Sequence, residues 1–188
     1  MYIDEENRMR LGNFEFLAMN NCTRRFIQKH YEMRIFENML NHEGINLHNS
    51  KILDAGCGSG YSTKLILEIF KPSKIIAFDY MPEQIALAKK RELPVDFFVG
   101  DMRKTDLPDS GMDAVFIFGV LHHIPNWETA LKEIARTLKK QGVLLVEEPK
   151  IGFSWRSFER GLKESGFSIL QKRSTMPFYI RSYLCQKK

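Results

Sequence analysis

The chain has 188 residues, 44% of them hydrophobic and 27% charged, which gives room for one packed domain and excludes a disordered or fibrous chain. Its formal net charge of +5 is uneven: residues 1–126 carry 15 Lys+Arg against 17 Asp+Glu, and residues 127–188 carry 13 against 6. So mild an excess, without dense Lys/Arg runs, reads as a solvated face more readily than as a nucleic-acid footprint.

The first residues, Met1 to Arg8, are acidic where a secretory leader is basic, and no long apolar run follows them. From about Asn21 to His42, Phe26, Ile27, Tyr31, Ile35, Phe36, Met39 and Leu40 recur at spacings of three to five, which predicts helix. Phe14, Phe16 and Leu17 precede it without clear periodicity, so residues 1–48 read as a helical cover ahead of the main fold. Strands are expected at Lys51–Ala55, Lys74–Asp79, Val95–Val99, Met112–Phe118 and Val143–Glu147. Helices fall between them near Tyr61–Phe70, Pro82–Arg91 and Trp127–Lys140, the last with Gly142 as its stop signal. Pro82 and Glu83 suit a helix's first turn.

A further helix is expected from Trp155 to Ser165, ending at Gly166, then strands at Phe167–Arg173 and Tyr179–Gln186. The link around Pro177 is too short for a crossover helix, so those two strands pair antiparallel. Alternating strands and helices give an α/β, doubly wound (Rossmann-like) domain over residues 49–188. Its seven-stranded sheet is mostly parallel with an antiparallel last strand, and helices lie on both faces. The cysteines Cys22, Cys57 and Cys185 are scattered and odd in number, fitting neither a disulfide framework nor a zinc spacing, so a reducing cytoplasm is the expected setting.

The strongest local signal is Leu53-Asp-Ala-Gly56-Cys-Gly58-Ser-Gly60, a glycine-rich turn between the first strand and its helix. Such a turn lets backbone amides approach a ligand. A dinucleotide fingerprint would need a third glycine where Tyr61 stands. Asp79 closes the second strand, where a carboxylate can accept both hydroxyls of a ribose. The third strand runs into Gly100-Asp101-Met102, a carboxylate for an exocyclic amine and a thioether for an aromatic ring. These residues lie at the carboxyl ends of parallel strands, where open α/β sheets bind ligands, although each taken alone also fits an ordinary turn or helix cap.

Ile52–Thr63, Phe78–Pro82, Gly100–Met102, Asp113–Pro125 and Leu138–Glu147 together resemble the successive motifs of class I S-adenosylmethionine-dependent methyltransferases. The resemblance implies S-adenosylmethionine as cofactor and S-adenosylhomocysteine as product. It implies that Asp54, Ala55 and the turn Gly56, Cys57, Gly58 and Gly60 hold the methionine end. Asp79 would then hold the ribose, Tyr80 or Met81 the adenine face, and Asp101 with Met102 its edge and other face. Gly119 would border the sulfonium. The stretch Val120-Leu-His-His-Ile-Pro-Asn-Trp127 is similar to the small-molecule branch that includes the ubiquinone and menaquinone biosynthesis enzymes, which points away from a nucleic-acid substrate.

Methyl transfer of this kind needs an aligned nucleophile, and needs a base only if the nucleophile must lose a proton. His122 and His123 follow the fourth strand, and His123 is the candidate base, although both also fit a packing role in the loop. Glu147 and Glu148 suit either a substrate cation or a turn cap. Phe14, Phe16, Phe26, Tyr31 and Phe36 could face an apolar acceptor, or pack as helix core. No paired spacing of metal ligands stands out, so no metal is expected. Two other functions fit parts of the pattern: a non-catalytic S-adenosylmethionine-binding partner subunit, and a nicotinamide-dependent oxidoreductase.

Overall fold

Short β-branched and apolar runs between helices build one twisted sheet, and its alternating side chains serve two helical layers. The computed structural model describes residues 2–3, 9–10, 22–151, 154–176 and 179–188. Helix α1 (Cys22–Ile27) passes through a π-helical segment (Gln28–Glu32) into α2 (Met33–His42). Then follow β1 (Lys51–Ala55), α3 (Tyr61–Phe70), β2 (Lys74–Asp79), α4 (Pro82–Lys89), β3 (Asp96–Val99) and β4 (Met112–Phe118). The chain ends with α5 (Trp127–Thr137), β5 (Leu138–Pro149), α6 (Trp155–Glu164), β6 (Phe167–Met176) and β7 (Ile180–Lys187). A two-residue pairing of Tyr2–Ile3 with Met9–Arg10 lies outside the main sheet.

The seven strands lie in the order 3-2-1-4-5-7-6. Strands β1 to β5 are mutually parallel, and β7 runs antiparallel to both its neighbours, β5 and β6. Successive residues of one strand enter different layers, as period-two geometry requires. Leu53, Val115, Ile117, Leu144 and Val146 meet α5 and α6 through Leu131, Ile134, Phe158 and Leu162. Ile52, Ala114, Phe116 and Leu145 meet α2 and α3 through Met33, Phe36, Met39, Leu65 and Ile66. Helix α2, from the segment expected as cover, is thus a layer of the core. Phe14 and Phe16 lie outside the described residues.

One local expectation gains detail and one is corrected. The helix expected from about Asn21 to His42 runs from Cys22 to His42 with a π-helical turn inside it, whose wider turn matches the five-residue step from Phe26 to Tyr31, both more than half exposed. Helix α5 ends at Thr137 rather than near Lys140, because Leu138 already pairs with Met112. The chain then bulges: the next pair in register is Ala114 with Val143. Gln141 takes a φ of 64°, and Lys139 Nζ donates to Asp113 Oδ1 at 2.6 Å. A side chain at 142 would meet the carbonyl oxygens of Lys139 and Asp113 at 2.9 and 3.1 Å, so Gly142 serves this bulge and not a helix stop.

Candidate active site

Sheet order reverses between β1 and β4, and the chain's glycine-rich turn opens at the carboxyl edge of that switch point. The amides of Gly56 and Cys57 both donate to Phe78 O at 2.9 Å, tying the turn to β2. Gly56 is required by close approach, since a Cβ there would lie 2.6 Å from Val120 Cγ2. Gly58 and Gly119 differ: both take a positive φ, and an added Cβ would meet nothing nearer than 4.0 Å and 3.9 Å respectively. On the two sides of the switch point they leave bare backbone with one atom within 4 Å of each missing Cβ, Gln84 Oε1 at Gly58 and His122 Cε1 at Gly119, which is room enough for close ligand approach.

Asp79 stands where expected, at the end of β2. Its Oδ2 accepts from Gly58 N at 2.8 Å and its Oδ1 from Met81 N at 2.9 Å. Burial pushes its pKa up, against the two amide bonds. Tyr80 and Met81 follow it, both half-buried.

Asp54 is fully buried and turned toward α3, where its Oδ2 accepts from Ser62 Oγ at 2.7 Å and Thr63 Oγ1 at 2.6 Å. Its Oδ1 is buried with no hydrogen-bond partner among the described residues. Burial, only partly offset by the Thr63 and Ser62 hydroxyls, pushes its carboxyl up to about 6. Ala55 is fully buried in the sheet's core. Cys57 packs with Ala77, Ile85, Ala88 and Phe97, and its thiol donates to Gly58 O at 3.6 Å. Gly60 ends the turn as a left-handed residue ahead of α3.

At the end of β3, Asp101 is held by its neighbour: Arg103 Nη2 lies 2.7 Å from Oδ2, and Arg103 N donates to Oδ1 at 2.8 Å. The pull of Arg103 outweighs burial and holds the Asp101 pKa below its ordinary value. Met102 is buried in the core beside Phe78.

After β4, a single 3-10 turn (Leu121–His123) carries the two histidines. Gly119 N continues the sheet by donating to Glu147 O at 2.7 Å. Glu147 itself points to the α2 and α3 side and accepts from Ser182 Oγ at 2.6 Å. Glu148, one residue on, faces the opposite side. Its Oε1 accepts from Val120 N (2.9 Å) and Leu121 N (2.7 Å), and its Oε2 from His122 N (3.3 Å). That same oxygen lies 2.7 Å from His122 Nδ1, with the Glu148 side chain 0% and the His122 side chain 9% exposed. His123, the sequence-level candidate base, donates its amide to Val120 O, and its Nδ1 is buried.

Sequence reading gave Ser62 and Thr63 no role, although the expected helix start at Tyr61 puts both in the first turn of α3. It named Glu148 as a cation ligand or turn cap but not as the acceptor for the turn after β4, for which there was a usable signal: Leu144, Val146 and Glu148 share one face of β5, which aims the carboxylate beneath that turn. Arg25 and Arg91 both approach the Tyr61 ring at 5.6 Å, and Arg91 Nε donates to Ser59 O at 2.5 Å. They set two positive charges beside the glycine-rich turn, a meeting of distant segments that no spacing announces. Among the described residues no cluster of three or more His, Cys, Asp or Glu could hold a metal, and no helix is long and apolar enough to cross a membrane.

Comparison with known proteins places residues 53–146 in a match to the family described as "Methyltransferase domain". The chain is 35% identical over 104 residues to a "Probable S-adenosylmethionine-dependent methyltransferase" of Mycolicibacterium smegmatis, a match covering 55% of this chain and 40% of that protein. It is 25% identical over 131 residues to the "Fatty-acid O-methyltransferase" of the same organism, covering 69% and 48%. The chain thus spans less than half the length of these curated relatives. In fold it is similar to the crystal structure of a SAM dependent methyltransferase from Aquifex aeolicus, with a TM-score of 0.80 at 17% identity, covering 95% of this chain and all of that one.

Proposed function

The chain belongs to the methyltransferase domain family, and from that premise we propose that it transfers a methyl group from S-adenosylmethionine to a small-molecule acceptor. The observation that carries this reading is the open backbone of Gly58 and Gly119 at the switch point, with the Asp79 carboxylate at its rim. An extended nucleoside with a charged tail fits that floor. Asp79 keeps lone pairs for ribose hydroxyls beyond its two amide bonds. The cations of Arg25 and Arg91 suit the carboxylate of the methionyl end, and the unpartnered Oδ1 of Asp54 is a ready acceptor for its ammonium. Asp101 can serve adenine only through lone pairs that Arg103 leaves free.

The cofactor supplies a methyl already activated by the sulfonium. The protein's share is to align the acceptor, exclude water and manage one proton. The exposed faces of Phe26 and Tyr31 near the N-terminal segment support an apolar acceptor. The scattered free thiols support a cytoplasmic setting.

The test is calorimetry with S-adenosylhomocysteine, followed by incubation of the chain with methyl-labelled S-adenosylmethionine and a small-molecule cell extract. Binding and a labelled small molecule are expected. Binding without any transfer overturns the enzymatic reading, and no binding overturns the cofactor assignment.

A further inference from the structure

The carboxylate of Glu148 receives four contacts, and three of them come from backbone amides, which can only donate. Three amide donors favour the charged form of the carboxyl, and a carboxyl gives up its proton more readily than an imidazolium, so the proton on the short contact to His122 is assigned to the ring. The fourth contact, to His122 Nδ1 at 2.7 Å, is then a donated N–H. The backbone therefore fixes the charge of Glu148, and Glu148 fixes the tautomer of His122. The lone pair is left on Nε2, which makes no hydrogen bond among the described residues.

The place of this ring matters as much as its tautomer. Its Cε1 lies 3.9 Å from where a Cβ on Gly119 would stand, so the imidazole borders the open floor at the end of β4. Val120, between the two residues, covers Gly56 of the glycine-rich turn. The titratable groups against the ring are Glu148 from β5 and His123, whose ring centroid lies 3.8 Å away.

We propose that His122, oriented by Glu148, is the general base of the reaction and that the acceptor is a group protonated at neutral pH: a hydroxyl, an activated C–H or an ammonium. The inference rests on the methyl-transfer reading above and takes the base role for His122 in place of His123. The acceptor's proton passes to Nε2 as its electron pair forms the bond to the methyl carbon, and the carbon–sulfur pair stays with sulfur as the neutral thioether. The imidazolium left behind is balanced by the Glu148 carboxylate. A preionised carboxylate acceptor would need no such base. Glu148 is a positioning residue, because it acts through the ring.

Two measurements test this. Long-range proton–nitrogen spectra of the wild-type chain with S-adenosylhomocysteine bound should show His122 as the neutral Nδ1–H tautomer, and Glu148→Gln should shift it to a mixture. The opposite tautomer in the wild type overturns the proposal, with no variant required to fold. Labelled transfer into the extract should rise with pH through one ionisation in the wild type. In His122→Asn it should fall at least a hundredfold while S-adenosylhomocysteine affinity stays within about twofold. Turnover within threefold of wild type in that variant overturns the pair and leaves the methyltransferase reading standing. A wild-type chain that binds S-adenosylhomocysteine and labels nothing overturns both.

Discussion

The Gly58 amide donates to Oδ2 of Asp79 at 2.8 Å, so one carboxylate joins the turn after β1 to the end of β2. With Met81 N on its other oxygen it also sets the entry to α4. Asp79→Ala removes these bonds together with those proposed to the ribose. S-adenosylhomocysteine affinity should fall by about 1.5–3 kcal/mol, the range for bonds to a charged group. Titration calorimetry on the folded variant reads this directly, and unchanged affinity would falsify the assignment.

Gly56 and Val120 form a steric pair across the switch point. Gly56→Ala should destabilise the chain by more than about 1 kcal/mol, from a 2.6 Å clash with Val120 Cγ2 and from a φ of 78°. Adding Val120→Ala relieves the clash but not the backbone strain, so denaturant midpoints should recover only in part. Full additivity of the two changes would show that the pair does not interact.

Asp54 gives stability an unusual slope with pH. Its folded pKa of about 6 stands above the ordinary value of 3.8, so between those values the native state holds more protons than the unfolded one. Unfolding free energy therefore falls as pH rises from about 4 to 6, by a total on the order of 3 kcal/mol. Asp54→Asn, which keeps an oxygen for Ser62 and Thr63, should flatten that part of the curve. An identical slope in the variant rules the effect out.

Glu133 acts with the opposite sign at lower pH. Arg136 first, then the amide and hydroxyl of Thr105, hold its carboxyl down to about 2. That stabilisation is complete above the ordinary value of 4.5 and is lost as pH falls toward 2. Melting temperatures of Glu133→Gln measured from pH 5 to pH 2 should show a shallower acid limb than wild type.

Most of the frame was legible because it rests on local signals. Lys51–Ala55, Tyr61–Phe70, Lys74–Asp79 and Met112–Phe118 form over the residues that their periodicity marks out. The errors fall where tertiary contacts override local pattern: Lys139 and Lys140 look helical, but the edge of β4 draws the chain into β5. The positions of Asp79, Gly58 and Gly119 at the carboxyl edge of the sheet could be read because local pattern marks the strands that carry them. Which face of a carboxylate is already occupied could not. Asp54 turns to Ser62 and Thr63, Asp101 to Arg103, and Glu148 to His122, and each choice depends on rotamers and on segments far apart in sequence.

Strand β7 sits between β5 and β6 although it follows both in the chain. During synthesis the ribosome therefore releases β5 well before the strand that will occupy its flank. Until residues 180–187 emerge, Val143–Val146 present an unpaired, apolar margin to the crowded cell. A chain cut short near residue 178 would leave that margin free to pair with other strands. Arrival of the final strand acts as a keystone: it closes that margin and seats Glu148 opposite Arg181 in the same movement.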